Sequence, residues 1–234
     1  MNAAEAVLNF SRSMKNLCPV AAAVVAVVSA CSSDSYESGT GTYSLTRADF
    51  VEVHTVAPRT ADYAMTDDGS RLILAAPKSA GWMEKADTLY RAVMYYNLTE
   101  DGRAEVVSLA AIPVLRARPG EEFEEGVITD PVKFESLWLS ASRRYVNIGF
   151  YLKNGTAEGS QALHTIGVAD EGTVGNADGT HTAVYRLYHD QGGVPEYYSS
   201  RYYVSIPCET IDADSVRLLI NTYDGEIERV IAVR

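Results

Sequence analysis

Cysteine is scarce in this 234-residue chain, which has three, Cys18, Cys31 and Cys208. The first two lie in or at the end of an N-terminal apolar run, so Cys208 stands alone in the remainder. One thiol closes no intrachain disulfide, and the fold must be held by its core. A cysteine nucleophile needs a neighbouring base, and no motif supplies one near Ile206-Pro207-Cys208, which reads as a strand end. Positive charge is also short, with 20 Lys and Arg against 31 Asp and Glu, a net −11. An acidic surface repels phosphate backbones, so nucleic-acid binding is disfavoured. No Gly-x-Ser-x-Gly, phosphate loop or dinucleotide fingerprint is present. His54, His164, His181 and His189 lack the close helical spacing of a zinc site. Asn176-Ala177-Asp178-Gly179-Thr180 lacks the downstream Glu of a calcium loop, and the acidic row 121–125 does not by itself converge on an ion. No metal and no cofactor is expected, and the chain is read as a non-enzyme.

What is present begins with the apolar run Leu17 to Cys31. Lys15 supplies a short positive region ahead of it, and small residues precede its end, the proportions of an export signal. It is shorter than the roughly 20 apolar residues a bilayer-spanning helix needs. Met14 gives a more compact signal than Met1, because residues 1–13 carry Glu5, out of character before an apolar core. Val28-Ser29-Ala30-Cys31 resembles a bacterial lipobox, which implies cleavage before Cys31 and lipid on that residue. Two or three acyl chains, at about 0.8 kcal/mol per buried methylene, anchor a protein firmly. The expectation is a cell-envelope lipoprotein at the outer membrane, facing the periplasm or the cell surface. Residues 1–30 are read as the signal and 31–42, polar and Gly-rich, as a lipidated tether.

From Tyr43 onward the signals are strands. Runs at 50–56, 71–75, 90–98, 104–115, 145–152, 162–168, 182–188, 198–206, 216–220 and 227–233 are apolar or alternate apolar with polar residues. Asp68-Gly69, Asp101-Gly102, Asn154-Gly155, Asp178-Gly179 and Asp224-Gly225 lie between such runs, and these dipeptides suit tight hairpins. No helical apolar stripe follows the leader; the best stretch, 81–87, is barely two turns long. Hydrophobic content of 47% is that of a globular chain. The fold class is all-β. Pro119-Gly120 followed by four glutamates around Phe123 reads as an exposed connector, so 119–129 divides the chain. Five strands in 43–118 suit a small OB-fold-like barrel, and the strands of 130–234 suit an antiparallel β-sandwich.

On Tyr63-Ala64-Met65-Thr66-Asp67-Asp68-Gly69, Asp130-Pro131-Val132, Ser136-Leu137-Trp138-Leu139, Tyr145 to Phe150 and Pro195 to Ser200, the chain resembles the NigD-like lipoproteins of Gram-negative anaerobes. The resemblance covers most of 31–234 and implies an OB-type domain followed by a β-sandwich behind a lipobox. It also implies an association with a bacteriocin operon, in immunity or export, and brings no catalytic residues.

Three groups of residues are candidates for contact with other molecules. In the strand 196–206, Tyr197, Arg201 and Tyr203 share one face, and Tyr198, Ser200, Tyr202, Val204 and Ile206 share the other, expected as core. The first face reads in two ways, as ordinary cross-strand Tyr pairing or as a platform for stacking a sugar or peptide. Asp87-Thr88-Leu89 and Asp214-Ser215-Val216 resemble the three-residue O-glycosylation signal of exported proteins in these bacteria, with Thr88 and Ser215 as acceptors. Cys31 is the lipid site. The functional expectation is a membrane-anchored, non-enzymatic interaction module with a protein or glycan ligand; the alternatives are a carbohydrate- or peptide-binding surface lipoprotein or a hydrolase.

Overall fold

A computed structural model describes residues 45–156 and 162–234. The signal, Cys31 and the whole of the tether lie outside the described residues. Thr46–Arg234 makes one compact unit, and it is all-β, as the alternating runs require.

Strands β1 (Arg47–Ala57), β2 (Thr60–Thr66), β3 (Arg71–Ser79), β4 (Thr88–Leu98) and β5 (Ala104–Ala111) close a barrel in the order β1-β2-β3-β5-β4. This is the small five-stranded barrel expected of the first half. Its interior is narrow, and the buried inward positions are correspondingly small: Ala61, Ala64, Ala92 and Ala104 beside Val51, Val53 and Met94. The loop 81–87 forms no helix; it drops Met83, fully buried, into the barrel. Strand β2 escapes sequence reading because a register shift between Ala61 and Tyr63 breaks its alternation. Ala61 and Ala64 both face inward although they are three residues apart. Strand β5 ends at Ala111, earlier than the apolar run, ahead of Pro113, which has no N–H for a ladder.

The second half holds β6 (Arg118–Pro119), β7 (Lys133–Leu139), β8 (Tyr145–Asn154), β9 (Thr165–Gly175), β10 (His181–Asp190), β11 (Tyr198–Pro207), β12 (Ser215–Thr222) and β13 (Gly225–Ala232). They form a five-stranded sheet, β13-β12-β10-β9-β6, facing a three-stranded sheet, β11-β8-β7. The sandwich is not wholly antiparallel. Strand β11 leaves for the other sheet between β10 and β12, so these two run parallel. Four of the dipeptide turns close hairpins within one sheet or the barrel, with Gly69, Gly102, Gly179 and Gly225 all at positive φ. Asn154-Gly155 does not, because β8 and β9 belong to different sheets.

The acidic stretch 119–129 is more than a connector. Its glutamates are exposed, but Phe123 is buried, stacked on Tyr188 at 4.6 Å with the Arg118 guanidinium 4.4 Å over its ring. Arg118–Pro119 joins the edge of the five-stranded sheet beside β9.

Around Asn147 and Ser205 the three-stranded sheet is covered on both faces. Val146, Ile148, Phe150, Leu152, Val204 and Ile206 belong to the core shared with the five-stranded sheet. The intervening residues Asn147 and Ser205 are equally buried, yet polar. They face the barrel, and there the candidate site is built.

Candidate functional site at the barrel–sandwich seam

Strand parity places the seam. On β4, Ala92, Met94 and Tyr96 point into the barrel, so Leu89, Arg91, Val93 and Tyr95 point out of it. On the paired strand β1, Glu52 lies across from Arg91 and Phe50 across from Val93. These outward side chains meet the polar face of the three-stranded sheet.

Arg91 is the hub. Its side chain is 1% exposed, and the guanidinium forks onto Asp67 with Nη1···Oδ1 at 2.6 Å and Nη2···Oδ2 at 2.8 Å. It also donates through Nη2 to Asn147 Oδ1 at 3.2 Å and through Nε to Ser205 Oγ at 3.3 Å. Ser205 Oγ in turn donates to Asn147 Oδ1 at 2.7 Å. The planar fork of Arg suits this shape, and its charge is matched as a buried charge must be. Tyr145 lies under the guanidinium at 4.3 Å and donates its hydroxyl to Glu52 Oε1 at 2.7 Å, while Arg144 pairs with the other oxygen of Glu52. Phe50, Trp138 and Tyr203 close the seam edge to face, with ring centroids 5.1 to 6.1 Å apart. The segment after β5 also crosses here, with Pro113 O accepting Ser205 N and Leu115 N donating to Ser205 O.

Two openings lie along the seam, and this crossing segment contributes to the lining of both, Pro113 to one and Val114 to the other. One is a groove of about 520 Å³ whose polar and aromatic lining is Tyr95, Tyr151, Arg201, Tyr202 and Tyr203. Arg201 donates to the Tyr151 hydroxyl at 2.7 Å, and that hydroxyl donates to Glu135 at 3.2 Å. Tyr202 donates to Asn154 Oδ1 at 3.1 Å and lies parallel to Phe150. The other opening, near the β7–β8 turn, is lined by four arginines, Glu52, Glu209 and Cys208.

The residues singled out from sequence separate accordingly. Arg201 and Tyr203 line the groove, but Tyr197 does not; it is 72% exposed and stands apart. The ring of Tyr203 is partly engaged in the seam itself. The opposite face of β11 is core only at Val204 and Ile206; Tyr198 and Tyr202, expected inside, are exposed. Thr88 donates its hydroxyl to Ala86 O at 3.0 Å, and the Ser215 hydroxyl lies 2.8 Å from that of the buried Thr182. Cys208 is half-buried, and burial pushes its thiol pKa up, which slows its reactions and disfavours the ready thiolate that a catalytic nucleophile needs.

Sequence reasoning did not single out Asp67, Arg91, Asn147, Tyr95 or Tyr151 as site residues, since Asp67 lies in a turn, the others lie on separate strands, and nothing in sequence order brings them together. It also missed a histidine pair. His189 is fully buried, with Nε2 3.0 Å from His164 Nδ1 and Nδ1 3.0 Å from the Asp130 carbonyl; His164 Nε2 is 3.1 Å from the Lys153 carbonyl. Burial pushes the His189 pKa below its ordinary value, and the His164 ring works in the same direction.

No family model and no curated protein matches the chain. Solved structures do. A NigD-like immunity protein from Bacteroides caccae superposes with a TM-score of 0.61 at 23% identity, over 78% of this chain and 91% of that one. A protein of unknown function from Bacteroides vulgatus gives 0.59 at 18% identity over 80% and 90%. A toxin-related protein from Parabacteroides distasonis gives 0.57 at 18% identity over 80% and 92%. These likenesses establish a common fold, barrel and sandwich together, and the first of them agrees with the NigD-like resemblance read from sequence.

Proposed function

We propose that the protein is an exported lipoprotein, anchored through Cys31 at the outer membrane, that acts without catalysis by binding a partner in the tyrosine-lined groove of the seam. The observation that carries this reading is the groove itself. Four tyrosines and Arg201 surround about 520 Å³, and Tyr95 and Tyr202 are 43% and 39% exposed despite their size. Rigid amphipathic rings beside a guanidinium are the chemistry of stacking against a sugar or a peptide. The fold shared with an immunity protein and a toxin-related protein supports a partner linked to a bacteriocin. The lipobox at Val28–Cys31 supports the anchor.

Two experiments test the reading. Palmitate labelling of the native chain is expected to mark it, and Cys31→Ala to abolish the mark; an unlabelled native chain defeats the anchor. A deletion strain is challenged with bacteriocin while complemented with the native gene or with Tyr95→Ala/Arg201→Ala, and the purified proteins are applied to a glycan array. The double variant is expected to lose protection or glycan binding while folding normally, since both side chains are exposed. Equal behaviour of the two proteins in both assays defeats the groove.

A further inference from the structure

The second opening of the seam, about 620 Å³, gathers Arg91, Arg116, Arg143 and Arg144 around Cys208 in a protein whose net charge is −11. Three of the four guanidiniums are answered. Arg91 is forked onto Asp67, Arg144 is paired with Glu52, and Arg116 meets Glu209 at 3.7 Å, both of these last two well exposed. Arg143 has no acidic partner among the described residues, and it lines the same cleft as Cys208, where its charge works against the burial that raises the thiol pKa.

The backbone beneath Arg143 makes its presence harder to dismiss. It sits at φ +56°, in the left-handed region, within the turn from β7 to β8. Its N–H donates to Ser140 O at 2.8 Å, and Ser140 Oγ accepts the next two backbone N–H groups, so the turn is fixed. Glycine holds that conformation without steric cost, whereas a long side chain is disfavoured there. The turn geometry therefore does not call for arginine, and the unanswered side chain is exposed on the lining of the cleft.

We infer that this cleft binds the oxyanion of a small ligand, a carboxylate or phosphate, held by Arg143 and Arg116 with the Arg144–Glu52 pair as its wall. Size limits the ligand to the scale of a metabolite or a single acidic side chain. The site is distinct from the tyrosine groove, and it stands or falls separately, because no residue lines both openings.

Cys208 is a built-in reporter. In the full chain carrying Cys18→Ser and Cys31→Ser it is the sole thiol, and its alkylation by neutral iodoacetamide can be timed. Citrate and inorganic phosphate, at ionic strength matched with chloride, are expected to slow alkylation in a saturable way. Protection by citrate alone identifies a carboxylate, and by phosphate alone a phosphate. Arg143→Gly is expected to keep or raise the melting temperature while weakening protection about tenfold, the loss of one charge-assisted hydrogen bond. Arg116→Gln, on an exposed side chain, is expected to weaken it in the same sense. No protection beyond chloride by either probe overturns the inference, and so does undiminished protection in Arg143→Gly.

Discussion

The two faces of the three-stranded sheet are made by the same strands and held by opposite chemistry. Toward the five-stranded sheet, Val146, Ile148, Phe150, Leu152, Val204 and Ile206 interlock as an apolar core. Toward the barrel, one residue along each strand, Asn147 and Ser205 are buried against Arg91 and Asp67. Apolar burial is non-directional and sets how stable the sandwich is. A forked guanidinium with fixed partners is directional and sets how the barrel sits on that sandwich. The seam's two openings inherit their geometry from the second kind of contact.

The sharpest way to break the comparison is to strike each face once. Phe150→Ala empties the largest fully buried side chain and is expected to cost about 3–5 kcal/mol. Urea denaturation is expected to lower the midpoint for the whole unit. Asp67→Asn leaves Arg91 charged and unmatched in the seam; with Asp67 19% exposed, the cost is expected near the lower end of the range for broken buried pairs, about 3 kcal/mol. Its signature differs. Proteolysis is expected to cut between barrel and sandwich, around residues 112–117, before the sandwich yields. If the replacement Arg91→Met/Asp67→Leu restores stability but widens the groove, the polar hub serves orientation rather than stability.

A smaller change tests the seam from the sheet side. A Cβ on Gly149 would lie 2.7 Å from Ser136 Oγ and 3.1 Å from the ring of Tyr203. Gly149→Ala is expected to cost about 1–3 kcal/mol by overpacking, and to displace Tyr203 from Phe50 and Trp138. Near-UV circular dichroism of the aromatic cluster reads that displacement, and an unchanged spectrum counts against the packing described.

The apolar face was legible in sequence and the polar face was not, for a physical reason. Alternation marks the residues of a strand that meet oil, and it located β1, β4, β8, β10, β11 and β12. It assumes that the other parity meets water. In β8 the other parity meets the barrel, so Asn147 reads as a surface residue and is fully buried. Tyr198 and Tyr202 err the opposite way, being on the core parity where β11 is solvent-exposed. Turn chemistry was a better guide, since Asp-Gly needs only local backbone geometry; Asn154-Gly155 failed because its flanking strands diverge into different sheets. Of the groove, Arg201 and Tyr203 were visible as one face of a strand, whereas Tyr95 and Tyr151 come from other strands that sequence order does not bring together.

The smallest expected effects separate barrel from sandwich by the sign of their pH dependence. In the barrel, His54 stacks on Tyr63 and bridges Asp62 at 2.7 Å and Asp87 at 3.2 Å. The Asp62 contact chiefly raises its pKa above 6.5, so its stabilisation is complete below that value and is lost as pH rises through the folded-state pKa. Asp87 is fully exposed, and the whole effect is expected to be a few tenths of a kcal/mol, about the size of a surface pair. In the sandwich, the buried His189 sets Nδ1 against the Asp130 carbonyl at 3.0 Å and Nε2 against His164 Nδ1 at 3.0 Å. Asp130 and Asp190 favour a charge on His189, but burial outweighs them and lowers its pKa. Below pH 6.5 the unfolded chain then binds more protons than the folded one, and stability falls as pH falls, by at most about 1.4 kcal/mol per pH unit for one proton. Denaturation midpoints measured from about pH 5 to about pH 8 are expected to lose the acid-side slope in His189→Gln and the shallower alkaline-side slope in His54→Gln. An acid-side slope that survives His189→Gln would place the buried proton-sensitive group elsewhere.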